Sequence, residues 1–372
     1  MQAKAQPVTK PHYPILDGLR GVAALTVVVF HIFETHSTSH LDQIINHGYL
    51  AVDFFFLLSG FVIGYAYDDR WHKLSVSGFF KRRLARLQPM VIMGMLVGAA
   101  CFYFQNCSLW PGIHHVPVWK MLLVMLAGFT LLPLPVSADI RGWQEMHPLD
   151  GPAWSLFFEY IANILYALFV RKFSKTALSV LVVLAGAALI HYAVTSPTGD
   201  VIGGWTLNKL QLRIGFTRLM YPFFAGLLLC RTAKLTHFNN AFLWCSVLLL
   251  IVLAMPRMGG AGHLWANGLY DSLTIILVFP LIVYLGASGE IKGRFPSRLC
   301  RFLGEISYPI YITHYAFIYM YTAWVNHHHG IRFQQALPVA VLTFVSAVVL
   351  AYACLKLYDE PVRRWLAKKI TN

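Results

Sequence analysis

The sequence predicts an all-α protein: a polytopic membrane bundle of about ten transmembrane helices plus one re-entrant or interfacial helix, with both termini cytoplasmic. Three observations predict it. Of 372 residues, 57% are hydrophobic and 12% charged, with mean hydropathy +0.58, whereas a soluble domain carries about 25% charged residues. Apolar stretches long enough to cross a bilayer recur along the whole chain. The Lys and Arg residues behind the net charge of +14 gather in short connections between those stretches, which is the positive-inside pattern and not a nucleic-acid surface.

The apolar runs lie near 14–33, 49–67, 88–105, 118–136, 152–170, 176–194, 215–230, 240–255, 266–286, 302–324 and 336–357. Parity decides how many cross. With a cytoplasmic amino terminus, the segment from Arg70 to Arg86 is inside, together with Lys73, Lys81, Arg82 and Arg83. Counting back from Arg363, Arg364, Lys368 and Lys369 gives the same side only if 88–151 crosses once. One of the runs 88–105 and 118–136 must then be re-entrant or interfacial, and 118–136 is the better choice of the two, because it carries Lys120 and a Leu-Pro-Leu-Pro ending that breaks a helix. Ten spans then place 21 basic residues inside and seven outside. A single membrane domain fills 1–372, with a cytoplasmic tail at 1–13 and a basic cytoplasmic tail at 359–372. No cleavable signal peptide is expected, since the first run carries Asp17 and Arg20. The six scattered cysteines form no CxxC pair, and the outer-segment histidines lack metal-ligand spacing, so no metal site is expected.

The first run, LDGLRGVAALTVVVFHI, holds Arg20 and His31 eleven residues apart. That is about three helical turns, so the two share a face roughly 16 Å apart along the axis. Ionisable groups within a span mark function by default. Arg20 can hold an anion and His31 can act as a base; snorkelling of Arg20 to the interface is the plainer alternative. Asp53, one turn into the second span, lies near the level of His31, as either a catalytic carboxylate or a helix cap. Glu159 sits roughly 10–12 Å deep in the fifth span. His314 falls near mid-membrane in the tenth, as a ligand or a satisfied core histidine. In FFKRRLARLQP, Arg83 and Arg86 are three apart and suit a bidentate grip on phosphate with Arg82 beside them, or serve as ordinary topology signals.

Five motifs in order carry a resemblance: LDGLRGVAALTVVVFH, GYLAVDFFFLLSGF, FFKRRLARLQP, PAWSLFFEY and SYPIYITH, spanning residues 16 to 314. The chain resembles the acyltransferase-3 family of polytopic membrane proteins, which modify carbohydrates and other acceptors on bacterial envelopes. The resemblance implies a ten-span core and a place in a bacterial cytoplasmic (inner) membrane. It matches His31 and Arg20 to the catalytic pair, Arg83 and Arg86 to an Arg-x-x-Arg donor motif, and Glu159 to the family carboxylate. The implied reaction moves an acyl group, acetyl first, from cytoplasmic acyl-CoA to a hydroxyl of a glycan or glycolipid at the outer face. Acetyl-CoA is then a co-substrate, with no permanently bound cofactor. Some family members carry an appended hydrolase-like domain; this sequence shows none, so activity is expected from the membrane domain. His31 serves as general base or is transiently acylated, with Glu159 or Asp53 steadying the imidazolium. Trp154, Ser155, Tyr308 and His314 are the candidate substrate-binding residues, though tryptophan is also the ordinary interfacial residue. The competing reading is a proton-coupled transporter or flippase of a lipid-linked sugar, with His31, Glu159 and His314 as relay. Oligomeric state stays open, a homo-oligomer included.

Overall fold

In the computed structural model, which describes residues 12–371, the apolar runs become helices. In chain order these are α1 (Pro14–Glu34), α2 (Ala51–Tyr67), α3 (Val76–Cys101), α4 (Val118–Gly128) and α5 (Ala153–Leu168). Then follow α6 (Lys175–Thr195), α7 (Lys209–Thr232), α8 (Ala241–Ala254), α9 (Leu264–Leu273) and α10 (Phe279–Ser288). Last come α11 (Arg294–His327), α12 (Phe333–Cys354) and α13 (Glu360–Thr371). Single π-helical turns join α9 to α10 and α12 to α13. Several helices start where a short polar side chain can satisfy an orphan amide. Ser75 caps α3, Ser174 caps α6 and Asn208 caps α7, each accepting from a backbone N–H three residues on.

Among the described residues, seven helical segments are long and apolar enough to cross a membrane, and α4, α5 and α8 are shorter apolar helices. The run at 118–136 folds only as α4, whose 11 residues reach about 17 Å against a hydrocarbon core of about 30 Å. The basic stretch before the third run is itself helical, since α3 begins at Val76. Residues 1–11 of the expected amino-terminal tail, with Lys4 and Lys10, lie outside the described residues. The expected carboxyl-terminal tail is largely helix: α13 continues α12 through the π turn and packs against α3.

Helix ends alternate between two faces. The start of α1, the Arg70–Lys73 turn, and the starts of α3, α6 and α11 share one face with α13, here called the basic end. The loops after α1 and α3 share the other, the far end. Ion pairs and hydrogen bonds lock each face: Arg231 to Asp68 (2.7 Å) at the basic end, Thr35 to Thr322 (3.0 Å) and His36 to Tyr321 (2.6 Å) at the far end. In a bilayer no hydrophobic drive pulls helices together, so close backbone approach matters. Gly60 of α2 lies on the Phe223 carbonyl of α7, and Gly226 of α7 on the Leu57 carbonyl of α2; a Cβ at either would collide. Gly21 likewise brings α1 onto the Leu303 carbonyl of α11. These two pairings, α1 with α11 and α2 with α7, frame the interior.

Candidate active site

Two cavities meet inside the bundle. The one at the basic end has a volume of about 830 Å³ and is walled by Arg20, Ser59, Arg83, Arg86, Glu159 and Tyr308, among others. The far-end cavity, about 550 Å³, is walled by His31, Glu34, Glu145, Trp154, Arg218 and Tyr319, among others. Val52 and Tyr311 line both, so these side chains form the partition. The Tyr311 hydroxyl is held there by Ser155 Oγ at 2.7 Å.

His31 projects from the last turn of α1 into the far-end cavity. Its Nδ1 lies 2.6 Å from Glu34 Oε2, one turn further along the same helix. With the proton on Nδ1 directed at that carboxylate, Nε2 keeps its lone pair. Among the described residues no side chain bonds Nε2. The ring is steadied by Tyr315, edge-on at 4.7 Å between centroids, and by His314, stacked at 5.7 Å. The pair therefore has the geometry of an imidazole oriented by its own carboxylate.

That geometry corrects the expectation that Glu159 or Asp53 steadies His31. Asp53 is fully buried between α2 and α7, accepting from Arg218 Nη2 at 2.7 Å and from Nε at 3.2 Å. Arg218 also donates to the Tyr49 carbonyl at 2.7 Å and lies over the Trp154 ring. A buried carboxylate needs such a partner, and the one within reach is Arg218. Glu159 faces the basic-end cavity instead, accepting from Ser59 Oγ at 2.8 Å and from Arg83 Nη2.

The arginine motif divides as well. Arg83 is buried and committed to Glu159, whereas Arg86, one turn on, faces the cavity. Arg82 is exposed and outside the cavity wall, because neighbours on a helix point about 100° apart. Arg20 lines the same cavity, 3.1 Å from Asp17. Trp154 reaches the far-end cavity, Ser155 the partition, and Tyr308 the basic-end cavity, where its hydroxyl donates to the Leu87 carbonyl at 2.7 Å. His314 reaches neither; it is fully buried behind His31, with Nδ1 on the Ile310 and Tyr311 carbonyls, both at 2.9 Å. Its expected contact with substrate is thereby replaced by a packing role.

Sequence reading missed three participants. Glu34 carried a visible signal, three residues from His31 on one helix face. Arg218 lay in an apolar run and should have prompted a search for its carboxylate. Glu145 left none, because its loop is long and irregular. The Tyr319 hydroxyl donates to it at 2.6 Å, and Arg141 Nε lies 3.5 Å away. Burial pushes the Glu145 carboxyl up to about 7, against the opposing pull of Arg141.

Comparison with known proteins gives this arrangement a context. The acyltransferase-3 family model, described as an acyltransferase domain, matches residues 13–356. The chain is 34% identical over 160 residues to "Protein 2 in picA locus" of Rhizobium radiobacter, covering 41% of this chain and 80% of that protein. It is 26% identical to acyltransferase MdmB of Streptomyces mycarofaciens over 330 residues, 82% of this chain and 79% of that protein. It is 25% identical to a Staphylococcus aureus (strain COL) protein whose name, O-acetyltransferase, is provisional; the match covers 82% of this chain but 51% of the relative. This chain thus spans about half the length of the staphylococcal relative. No solved structure matches at a significant level. With its family-model match and multiple apolar helices, the chain belongs to the acyltransferase-3 family and is a multi-pass membrane O-acyltransferase.

Proposed function

We propose that the protein moves an acetyl group from cytoplasmic acetyl-CoA, through the bundle, to a hydroxyl of an envelope glycan or glycolipid at the outer face of a bacterial inner membrane. In this reading ten helices span, both termini are cytoplasmic, the basic end faces the cytoplasm and the far end faces outward. The observation that carries it is the meeting of two chemically unlike cavities at Val52 and Tyr311. One is lined by guanidinium groups suited to phosphate, and the other contains an imidazole with an uncommitted nitrogen.

The diphosphate of the donor rests against Arg86 while the pantetheine arm runs toward Tyr311. The distance from Arg20 to His31, roughly 16 Å along α1, is comparable to that arm's reach. The acceptor enters the far-end cavity, where Trp154 offers an aromatic face to a sugar ring. His31 Nε2 takes the proton from the acceptor hydroxyl as its oxygen attacks the thioester carbonyl. The C–S bond breaks, and the departing thiolate receives that proton from the imidazolium. Glu34 stays ionised throughout and stabilises the imidazolium.

The test is purified protein in detergent with acetyl-CoA labelled in its acetyl group and total envelope glycan. Expected are release of CoA thiol and label in the glycan, both abolished by His31→Ala. Thiol release no faster than a protein-free control, or an active His31→Ala variant, would overturn the proposal. A transporter, in contrast, would release no thiol.

A further inference from the structure

Four carboxylates line the basic-end cavity, and each already has a cation. Asp17 holds Arg20 at 3.1 Å, Glu159 holds Arg83, Glu305 accepts from Lys356 at 3.1 Å, and Asp359 lies 2.6 Å from Arg363. Two more arginines line the same wall, Arg86 on α3 and Arg301 on α11. Both are exposed, and among the described residues neither side chain makes an ion pair or hydrogen bond. Arg301 is the more informative. Glu305 lies four residues on along α11, the usual position for a helical ion-pair partner, yet it is engaged by Lys356. All five Arg301 donors are therefore uncommitted beside a cavity.

The two arginines can be placed in height. Helices α3 and α11 run parallel and touch where Gly94 meets the Ile312 carbonyl. Counting back eight residues on each puts Arg86 level with residue 304, so Arg301 lies about 4–5 Å, close to one turn, nearer the mouth. From Arg301 the wall continues along α11 to the partition at Tyr311, ten residues or about 15 Å. Two free guanidinium groups at different heights on different helices suit a ligand with two separated phosphate groups, whereas one phosphate would need only one of them.

We infer that Arg301 is a second donor-binding residue, which grips the phosphate farthest from the thioester, the ribose 3′-phosphate of CoA, while Arg86 takes the diphosphate. The inference rests on the acyl-CoA reading above and adds to it a determinant of donor selectivity. An anionic phospholipid headgroup offers the same oxyanion chemistry, so the test must separate the two.

Calorimetric titration of the purified full chain with CoA and with 3′-dephospho-CoA does so, in neutral detergent without and then with an anionic phospholipid. Wild-type protein is expected to prefer CoA by about tenfold, the worth of one charge-assisted contact. Arg301→Gln should remove that preference by weakening CoA alone; Arg301→Lys should retain part of it. Arg298→Gln, also exposed on α11 but outside the cavity wall, should keep the preference and serve as the folding control. An Arg301→Gln variant that still prefers CoA, or that weakens both ligands equally, overturns the inference while leaving the donor reading intact. A preference that Arg301→Gln changes only when lipid is present assigns the residue to the membrane surface, and overturns it too. Failure of wild-type protein to bind either ligand sinks the donor reading itself.

Discussion

Replacing Glu34 by Gln keeps the shape of the orienting residue and a carbonyl oxygen for His31 Nδ1, but removes its charge. The carboxylate and imidazole are 2.6 Å apart, with side-chain exposures of 34% and 17%. A hydrogen bond to a charged group is worth about 1.5–3 kcal/mol. Partial exposure screens it, which favours the lower part of that range. In the proposed mechanism His31 takes up the acceptor's proton during attack, so the loss falls on the transition state. At 1.36 kcal/mol per factor of ten, kcat should drop roughly ten- to fiftyfold. The donor KM should not move, because Arg86 and the guanidinium groups proposed to hold the donor line the separate basic-end cavity. The assay is initial-rate acetyl transfer at saturating acceptor over a series of acetyl-CoA concentrations. A Glu34→Gln enzyme with more than half the wild-type kcat, or with a large rise in donor KM and no loss of kcat, would refute this reasoning.

Arg218→Met strands the buried Asp53 carboxylate and should cost about 3–5 kcal/mol, seen as loss of monodisperse protein or a lower melting temperature in detergent. The Asp53→Asn/Arg218→Met double variant should recover much of that loss; if it is less stable than the single variant, the pair is not the cause. Arg83→Gln should lower the melting temperature by less than Arg218→Met, because Glu159 is partly exposed to the cavity and keeps Ser59, whereas Arg86→Gln should leave it unchanged and raise the donor KM. Equal effects of the two on both quantities would contradict the division drawn between them. Glu145, with its carboxyl raised to about 7 from a usual value of 4.5, binds more protons folded than unfolded between those values. Stability should therefore fall as pH rises through that window, and Glu145→Gln should flatten the dependence; a melting temperature that rises from pH 4.5 to 7 and is insensitive to the substitution would contradict it.

Sequence alone determined the class of the molecule, because the terms involved are local and additive. Apolar runs of bilayer length must become helices that satisfy their own backbone. The Pro-interrupted run at 118–136 carries in its own composition the reason it forms only the short α4. The spacing of Arg20 and His31, one helix face along three turns, was equally legible, since it depends on nothing beyond helical geometry. Which charges pair was not. Asp53 joins Arg218 across 165 residues and Glu159 joins Arg83 across 76, and no periodicity encodes such partners. Only the close approach of α2 to α7, permitted by Gly60 and Gly226, brings Asp53 and Arg218 together. The same holds for the partition between the cavities: Val52 and Tyr311 come from helices far apart in the chain, and only their packing puts one cavity on each side. A buried charge requires a partner, but which partner is decided by the backbone contacts of the folded bundle.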